Sequence, residues 1–585
     1  MTELLTAAQM CAIEAAAIAS GEVTGLELME RAGRGVVEAI FEEWPELAKT
    51  SHRGVVLCGP GGNGGDGFVV ARLLKEWGWE VEVFLYGDPE RMPPDARVNY
   101  ERWLGMGEVG ASAAFDPWAH HGLFVDALFG TGLSRKLDAE VLRMVSELGG
   151  DRVVAIDCPS GYCLDSGRAL FDGDHMACAA NLTVTFQFLK IGHMLANAPG
   201  GMGKLRTVDI GINELTALQH LKAVHNVRKN RKLDPAAVVQ LTDRTAFESA
   251  SHHPISAPVS KFVANHKYSH GHALILSGPP GHGGAARLTA RGALRIGAGL
   301  VTVACPPDAI PENAARLDAI MLRAVADGAG LREVLNDPRI NALCLGPGLG
   351  LDARAVGLVA TALGCPPPPP PPHAGEGRSP SVNSAENYHF EDPASPLPPG
   401  GEGLGVGGLP RCTTADDLRS VVLDADALTI LSRHADLFAA LHPNCVLTPH
   451  AGEFARLFPD IAEKLAAPAF SGPAYSKVDA TREAAKRAGC VVLYKGPDTV
   501  IADPAGRCSI NSAHYDRAAP WLATAGSGDV LAGFITGLLA RGFAPMQAAE
   551  TAAWLHVECA RSFGPGLIAE DLAEELPKVF RLLGL

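Results

Sequence analysis

Short apolar runs alternate with amphipathic helical stretches along most of this chain, and this alternation limits the fold more than any other feature. Such a pattern is typical of parallel sheets with helices packed on both faces. In the first half the predicted strands are Arg53–Cys58, Val81–Tyr86, Leu123–Leu128, Val153–Asp157 and Leu182–Phe186. In the second half they are Ala273–Ser277, Leu300–Ala304, Ala342–Leu345, Val421–Asp424, Val446–Thr448 and Val491–Tyr494. The sequence therefore predicts a doubly wound parallel sheet followed by a second α/β domain.

A proline-rich segment at 366–410 interrupts the second series of strands. It holds 13 prolines and eight glycines in 45 residues, a composition that excludes a helix or a central strand. We predict a disordered surface insertion there, and a proline-rich ligand for a protein-interaction domain is the alternative. With the polar stretch 214–250 as a connector, the predicted domains are 1–225 and 226–585, and the second contains the insert.

The bulk composition narrows the partners and the compartment. The 585 residues include 50 Lys and Arg against 65 Asp and Glu, which gives a net charge of −15. This acidic balance disfavours nucleic acid and anionic membranes as partners, and no apolar run approaches the ~18 residues of a membrane-spanning helix. Thirteen cysteines without a CxxC pair fit free thiols in a reducing compartment. We expect a cytoplasmic homo-oligomer whose partners are small molecules.

The first glycine-rich loop follows the first predicted strand and opens a helix. It reads CGPGGNGGDG, in which Gly59, Gly61 and Gly64 satisfy GxGxxG. Glycines at these positions let the backbone approach phosphate groups closely, and the helix N-terminus adds partial positive charge. The acidic residues Glu80 and Glu82 follow the loop at about the twenty-residue spacing that is typical of dinucleotide-binding folds. The loop therefore predicts a nucleotide or dinucleotide site, and a purely structural turn is the alternative.

Polar side chains also mark the ends of the next predicted strands. Asp126 ends one strand, and Asp157 and Ser160 lie at the end of another. Because the carboxyl ends of parallel strands meet at one edge of a sheet, these residues and Asn63 should converge there. Oxygen atoms of this kind suit a hard cation. Each aspartate taken alone could instead be a helix cap or a loop anchor.

Loops of the second half carry residues that suit phosphoryl chemistry. They are LGPGLG at 345–350, TPHAGE at 448–453, YKGPDT at 494–499 and LATAGSGDVLAG at 522–533. Backbone N–H groups at the helix start in the last of these can hold the charge that develops on a transferred phosphoryl group. Asp529 can accept a hydroxyl proton, and Lys495 suits a nucleotide phosphate. A glycine-rich helix cap with Asp529 in its first turn is the alternative.

Five motifs of the first half, in chain order, resemble a known family. They are LTAAQM, LMERAG, GPGGNGGDG, DALFGTGL and DCPSG, and together they resemble the NAD(P)H-hydrate epimerase family over about residues 1–215. The resemblance implies interconversion of the R and S epimers of a hydrated nicotinamide at a site that contains potassium. The implied potassium ligands are Asn63, Asp126 and Ser160. The implied substrate contacts are Gly62, Asn63, Gly64, Gly65, Asp66, Gly130, Thr131, Gly132, Leu133, Ser134, Arg135, Lys136 and Asp157.

Two points about this half stay open. The family has two asparagines before GGDG, whereas this chain has Gly62 and Asn63, so one side-chain amide is missing from the implied contact. Epimerisation also requires reversible opening of the carbon that bears the hydroxyl group, and a carboxylate can act there as general acid and base. Asp157 and Asp126 are the candidates, and Asp157 is favoured because Asp126 is an implied cation ligand.

The second half resembles the ribokinase-like fold and, within it, the ADP-dependent NAD(P)H-hydrate dehydratase family. The motifs GGAARLTARGALRIGAGLVTVA, GPGLG, VLDADALT, TPHAGEFARL, KGPDT and LATAGSGDVLAG stand in family order over about residues 260–585. The implied hydrate contacts are Ala285, Gly348, His450 and Asp529, with Asp529 as the catalytic base. The implied nucleotide contacts are Lys495, Gly496, Pro497, Asp498, Thr499 and Gly528. ADP is the implied co-substrate, with Mg²⁺, and AMP and phosphate are the implied products.

The sequence as a whole predicts a Rossmann-like doubly wound sheet followed by a ribokinase-like α/β domain. The predicted function is repair of hydrated nicotinamide dinucleotides, NADHX and NADPHX, by epimerisation of the R and S forms and ADP-dependent dehydration of the S form. Two alternatives of other classes stay open. One is a ribokinase-like vitamin-precursor kinase fused to a nucleotide-binding domain, and the other is a non-catalytic binding scaffold.

Overall fold

Two sheets organise the molecule in the computed structural model, which describes residues 2–118, 122–146, 148, 152–171, 179–213, 239–242, 266–365 and 418–584. The strands are β1 (Thr2–Leu4), β2 (Arg53–Cys58), β3 (Glu80–Leu85), β4 (Val109–Ala111), β5 (Leu123–Ala127), β6 (Arg152–Ile156), β7 (Leu182–Phe186), β8 (Lys204–Val208), β9 (Val239–Leu241), β10 (His272–Leu276), β11 (Leu300–Cys305), β12 (Met321–Ala324), β13 (Ile340–Leu345), β14 (Ser420–Leu423), β15 (Cys445–Leu447), β16 (Val491–Tyr494), β17 (Asp498–Ala502) and β18 (Cys508–Ser512). The helices are α1 (Ala7–Ala19), α2 (Gly25–Glu43), α3 (Gly62–Glu76), α4 (Pro94–Leu104), α5 (Ala139–Ser146), α6 (Ala198–Gly201), α7 (Gly283–Arg295), α8 (Ile310–Ala314), α9 (Gly328–Val334), α10 (Ala353–Ala362), α11 (Ala425–Arg433), α12 (Ala435–Ala439), α13 (Ala451–Leu457), α14 (Pro459–Ala466), α15 (Lys477–Ala488), α16 (Ser527–Ala540), α17 (Pro545–Phe563) and α18 (Ala569–Leu582). The predicted insert at 366–410 and the predicted domain junction after residue 225 lie outside the described residues.

The smaller sheet has the strand order β4-β3-β2-β5-β6-β7-β8, and all of its neighbouring strands are parallel. From β2 the chain adds strands in one direction, and from β5 it adds them in the other, so the order reverses between these two strands. In open α/β sheets the ligand crevice lies at this reversal, beyond the carboxyl ends of the strands. The doubly wound parallel sheet predicted for the first half is confirmed, and the loops after β2 and β5 flank its crevice.

The larger sheet has the order β1-β9-β18-β17-β16-β15-β14-β13-β10-β11-β12. Along the sheet, the strands β12, β11, β10, β13, β14, β15 and β16 pair parallel with one another. β17 pairs antiparallel with both β16 and β18. Its order reverses between β10 and β13, so the loops after these two strands flank a second crevice. The predicted parallel α/β architecture of the second half is confirmed, and the hairpin β17–β18 extends it.

The first strand of the chain belongs to the larger sheet. β1 pairs antiparallel with β9, which itself lies parallel to β18. Leu4 is buried in the same apolar cluster as Ile191, Met194 and Leu195 and the core of the second half. Hydrogen bonding and apolar packing therefore both cross the division predicted at residue 225.

Apolar side chains on alternating strand positions build a core on each face of both sheets. On β10, Leu274 and Leu276 pack into one cluster, while Ala273 and Ile275 pack into another. Successive side chains of a strand point to opposite faces, so a strand buried on both faces reads as a continuous apolar run. This is why the central strands were readable in the sequence. Within the described ranges, no helix is both long and apolar enough to cross a membrane.

The N-terminal helical region before β2 consists of two helices, α1 and α2. α1 ends at Ala19, Gly21 adopts φ +77°, and Thr24 caps the start of α2. The Thr24 side chain accepts a hydrogen bond from the Glu27 backbone N–H, while the Glu27 carboxylate accepts one from Thr24 N–H, which is a capping box. The break lets α1 and α2 both reach the crevice of the smaller sheet.

Candidate active sites

A cavity of about 560 Å³ opens at the reversal point of the smaller sheet. Residues of α1 and α2, the loop after β2 and the loop after β5 line it, and Asp157 and Lys190 lie on its wall. Of the predicted substrate contacts, the cavity is lined by Gly62, Asn63, Asp66, Gly130, Thr131, Gly132 and Asp157. The other predicted substrate contacts are not among the residues that line this cavity; they are Gly64, Gly65, Leu133, Ser134, Arg135 and Lys136.

Gly64 and Gly65 serve packing. A Cβ on Gly64 would collide with the carbonyl oxygen of Gly59, and one on Gly65 would lie 2.5 Å from the sulfur of Met29. These glycines let α3 lie close to its neighbours. Gly62 differs, because a Cβ there would meet nothing within 4 Å. The position where this chain departs from the family pattern therefore faces open space.

The last part of the predicted substrate loop contacts the second half of the chain. Arg135 forms an isolated antiparallel bridge with Ser471, and Gly472 N–H donates to the carbonyl oxygen of Ser134 at 3.1 Å. Lys136 lies over the ring of Phe470, and Leu133 is buried in an apolar cluster. The structure thus places Leu133, Ser134, Arg135 and Lys136 away from the cavity wall, where neighbouring residues already contact them.

Asp157 is held by three donors at the bottom of the first site. Its Oδ1 accepts from Thr185 Oγ1 at 2.7 Å and from Lys190 Nζ at 2.9 Å, and its Oδ2 accepts from Thr131 N–H at 3.1 Å. Burial acts to raise the pKa of Asp157, but the charges of Lys190 and His193 lower it to about 2. Asp157 also adopts φ 68°, an uncommon conformation for a residue other than glycine that clusters at functional sites.

Asp126 and Ser160 form a buried pair beside this cavity. Ser160 Oγ donates to Asp126 Oδ1 at 2.6 Å, and Ser160 N–H donates to Asp126 Oδ2 at 2.7 Å. Asn63 lies on the cavity wall near Gly130 and Asp157, because a Cβ on Gly130 would be 2.8 Å from Asn63 Oδ1 and 3.0 Å from Asp157 Oδ2. Burial raises the pKa of Asp126, whereas hydrogen bonds from Ser160 and Leu128 act to lower it.

A second cavity, of about 650 Å³, lies in the second half of the chain. Its wall is mostly apolar and includes the start of α16, part of α17 and the segment after β16. Of the predicted nucleotide contacts, this cavity is lined by Lys495, Gly496, Pro497, Thr499 and Gly528. A Cβ on Gly528 would lie 3.5 Å from Lys495 Nζ, so the structure brings the lysine and the helix start together.

Asp498 points elsewhere. Its Oδ1 accepts from Lys477 Nζ at 2.6 Å, and its Oδ2 accepts from Ala196 N–H at 3.0 Å. Asp498 is not among the residues that line this cavity, and its side chain instead forms an ion pair with Lys477 and a hydrogen bond to the first half of the chain. A second hydrogen bond between the two halves of the chain joins Tyr515 OH, the donor, to the carbonyl oxygen of His193 at 2.6 Å.

Acidic side chains surround Lys495. Its Nζ lies 2.8 Å from Asp424 Oδ1 and 3.6 Å from Glu453 Oε2. Burial raises the pKa of Asp529, the charge of Asp424 raises it further, and Lys495 opposes them, so that it reaches about 7. Asp529 can therefore exchange a proton near neutral pH, as a general base must.

The other predicted hydrate contacts lie near the reversal point of the larger sheet or next to Lys495. A Cβ on Gly348 would be 3.6 Å from the Cβ of Ala285, which brings the loop after β13 to the start of α7. His450 caps α13, with its Nδ1 accepting from Gly452 N–H, and is 56% exposed. Glu453 Oε2 accepts from His450 N–H and so links this loop to Lys495.

Sequence reasoning missed Lys190, Thr185, Glu14, Asp424 and Glu453 as site residues. Asp424 stood at the end of a predicted strand within VLDADALT and could have been found by the rule that ligands bind beyond strand ends. Lys190 lies 33 residues after Asp157, and no local spacing connects the two. Glu14 looked like one residue of an ordinary helix.

Two cavities with separate sets of titratable groups, each set beyond the carboxyl ends of an α/β sheet, define this chain as a two-site α/β enzyme. Residues 25–192 match the family model described as YjeF-related protein N-terminus. Residues 273–364 and 408–578 match the model described as NAD(P)H-hydrate dehydratase.

The chain is also similar to named proteins, one of them over nearly its whole length. It is 33% identical to the bifunctional NAD(P)H-hydrate repair enzyme Nnr of Moorella thermoacetica, over 99% of this chain and 97% of that protein. It is 46% identical to the NAD(P)H-hydrate epimerase of Rhodobacter capsulatus, over 34% of this chain and 95% of that protein. The chain belongs to the family of bifunctional NAD(P)H-hydrate repair enzymes, and the resemblance seen in the motifs is confirmed.

A solved structure of an ADP/ATP-dependent NAD(P)H-hydrate dehydratase from Bacillus subtilis, co-crystallised with ATP and Mg²⁺, is also similar to the second half. It covers 59% of this chain and 99% of its own, with 23% identity and a TM-score of 0.41.

Proposed function

We propose that this chain restores hydrated NADH and NADPH in two steps at its two cavities. Residues 1–225 interconvert the R and S epimers of NADHX and NADPHX, and residues 226–585 dehydrate the S epimer with ADP as co-substrate. Family membership supports this pairing. The observation that carries it is the presence of two cavities, one beside the buried Asp157–Lys190 pair and one beside Lys495 and the start of α16.

In the epimerase site, Asp157 and Lys190 would position the hydrated nicotinamide. With a pKa of about 2, the Asp157 carboxylate is ionised near neutral pH and can accept a hydrogen bond from the C6 hydroxyl group. Backbone N–H groups at the start of α3, around Gly62, would meet the phosphates, since glycine-rich turns before a helix favour close anion approach.

A potassium ion fits the residues beside this cavity. Asn63, Asp126 and Ser160 would hold it through oxygen atoms, which are the donors that hard cations prefer. Asp126 is fully buried, and within the described residues only hydrogen bonds compensate its charge. A bound cation would supply positive charge to this carboxylate.

In the dehydratase site, Asp529 would act as the base for phosphoryl transfer. Its carboxylate takes the proton of the C6 hydroxyl group while the oxygen attacks the terminal phosphorus of ADP, which releases AMP. The ring nitrogen lone pair then expels phosphate from C6, and loss of a C5 proton restores the dihydropyridine. Lys495 and the N-terminus of α16, with Gly528, would stabilise charge on the phosphoryl group.

The remaining predicted contacts would hold the substrates of this step. Ala285, Gly348 and His450 would contact the hydrate, and Gly496, Pro497 and Thr499 would contact the nucleotide. Carboxylate oxygens around Lys495 suit Mg²⁺, which would enter with the nucleotide and neutralise phosphate charge. Within the described residues, no group of three or more His, Cys, Asp or Glu side chains is arranged to hold a metal ion.

The decisive experiment supplies a mixture of R and S hydrates with ADP, with ATP or without nucleotide. Full recovery of reduced-nicotinamide absorbance with ADP is expected, and Asp529→Asn should abolish it while epimer exchange persists. A vitamin-precursor kinase would leave the hydrate absorbance unchanged and phosphorylate a different alcohol. A scaffold would leave both epimers unchanged, so either result contradicts the proposal.

We further propose a cytoplasmic homo-oligomer without nucleic-acid or membrane partners. The net charge of −15 supports the last two points because it disfavours polyanionic surfaces. Light scattering of the purified protein would test the oligomer, and a monomer at micromolar concentration would contradict it.

A further inference from the structure

Glu14 is a carboxylic acid on the epimerase cavity that neither the motifs nor the proposed potassium site uses. It lies on α1, where Met10, Glu14 and Ile18 occupy one helix face at four-residue intervals and all line the cavity. Side chains spaced in this way share a face of a helix. α1 is therefore oriented so that the Glu14 carboxyl group opens on the same space as Asp157 and Lys190.

Asp157 is poorly suited to move a proton in each turnover. Thr185, Lys190 and Thr131 already donate to its two oxygens, and the side chain is almost fully buried. A general acid and base must accept and release a proton within one catalytic cycle, which is most efficient when its pKa lies near the working pH. With its pKa held at about 2, Asp157 stays ionised throughout.

Glu14 has the opposite surroundings. Among the hydrogen bonds between described residues, none reaches its carboxylate, and its side chain is partly buried at the cavity wall. Burial raises the pKa of Glu14, and the attraction of Lys190 is offset by the repulsion of Asp157, so that the value is about 7. Both its protonated and its ionised forms are therefore accessible near neutral pH.

We propose that Glu14 is the catalytic acid and base of epimerisation, and that the Asp157–Lys190 pair positions the substrate for it. The proposal rests on the proposed epimerase function. The Glu14 carboxylate takes the proton of the C6 hydroxyl group, the C–O bond becomes a carbonyl, and the C6–N1 bond breaks. N1 takes the bonding electron pair and receives the proton back from Glu14.

The ring-opened aldehyde then exchanges its faces by rotation about the C5–C6 bond. Closure runs the same steps in reverse: N1 attacks the other face of the carbonyl, Glu14 takes the N1 proton, and the new alkoxide recovers it. No oxidant, reductant or co-reactant is consumed, and the proton returns to the hydroxyl group of the opposite epimer. One carboxyl group open to the cavity is sufficient for the whole cycle.

The pH dependence of this step depends on all charged groups around Glu14. Asp157, just after β6, and Lys190, in the segment after β7, act on Glu14 through their charges. Asp66 on α3 and Asp95 on α4 line the same cavity. Cys11, on α1 itself, also lines the cavity. Because Glu14 must be ionised to accept the hydroxyl proton, the epimerisation rate should rise as pH increases through about 7 and then level off.

The test uses the full-length protein and a mixture of R and S hydrates with saturating ADP. The S epimer gives a fast phase of absorbance recovery, and the R epimer gives a slow phase limited by epimerisation. We expect Glu14→Gln to lower the slow phase about 100-fold or more, to leave the fast phase unchanged, and to remove the inflection near pH 7. The control is Glu22→Gln, which removes an exposed carboxylate shortly after α1 and should change neither phase.

A slow phase of Glu14→Gln within about threefold of the parent, or an inflection that survives, would overturn the inference. Glu14→Asp provides a second readout if the glutamine variant also loses its fast phase. It should keep the inflection with a reduced slow phase, and a full-rate slow phase without the inflection would be a contrary result. A parent protein that stops after the fast phase would instead contradict the epimerase function itself, and the inference would fall with it.

Discussion

Replacement of Asp424 by Asn should move the pH dependence of dehydration to lower pH. Burial and the charge of Asp424 are the two largest influences that raise the pKa of Asp529 to about 7, and Lys495 opposes them. In Asp424→Asn one like charge disappears, and Lys495 loses its partner at 2.8 Å. Both changes favour the ionised form of Asp529, which is the form that accepts the hydroxyl proton.

The size of the effect follows from the ionised fraction of Asp529. At a pKa of about 7, roughly 9% of this carboxyl is ionised at pH 6 and roughly 91% at pH 8, so kcat/KM of the parent should rise about tenfold between these values. Removal of a neighbouring like charge lowers such a pKa by about one unit. The rise between pH 6 and pH 8 should therefore shrink to about twofold in Asp424→Asn.

The assay follows recovery of reduced-nicotinamide absorbance from the purified S hydrate with saturating ADP and Mg²⁺ between pH 5.5 and 8.5. Asp460→Asn is the matched control, because Asp460 is exposed and is not among the charges that act on Asp529. A parent rate that is flat between pH 6 and 8, or an Asp424→Asn inflection at or above the parent value, would refute the reasoning.

Three further variants test other parts of the structure. Gly130→Ala should lower the epimerisation rate about 10–100-fold, because its Cβ would lie 2.8 Å from Asn63 Oδ1. The rate of dehydration of the S hydrate should be unaffected, and equal loss of both activities would indicate misfolding. Gly62→Asn should fold normally, since nothing lies within 4 Å of a Cβ at this position. The variant should lower KM for the R hydrate about fivefold, because the amide adds one hydrogen bond to the substrate. A higher KM would contradict an open position that faces the substrate. Asp498→Ala should lower the free energy of unfolding by about 3 kcal/mol, because it strands the partly buried Lys477; urea denaturation measures this, and an unchanged midpoint would count against the ion pair.

Much of the fold could be predicted because its determinants are local. The central strands are buried on both faces, so they stand out as continuous apolar runs, and their ends were placed within one or two residues. The glycines after β2 are required by close backbone packing at Gly64 and Gly65, which leaves a readable motif. The motifs were therefore sufficient to assign the family.

Short strands and remote partners could not be predicted. β1 has three residues, and its partner β9 lies more than 230 residues away, so no periodicity distinguishes it from a disordered end. The antiparallel β17–β18 hairpin likewise depends on a neighbour supplied by the sheet. Ser134 and Arg135 belong to a loop that reads as a substrate loop, yet they contact Gly472 and Ser471.

The sequence by itself determined the two α/β units, the order of their glycine-rich loops and the family, because burial on both sheet faces and close backbone approach leave local traces in residue type. Only the tertiary structure decided which carboxyl group is charged. Asp157 and Glu14 are both ordinary acids in the sequence, but contact with Lys190 lowers the pKa of one to about 2, and burial raises that of the other to about 7. Ionisation depends on burial and on charges from distant segments, and a linear sequence contains neither.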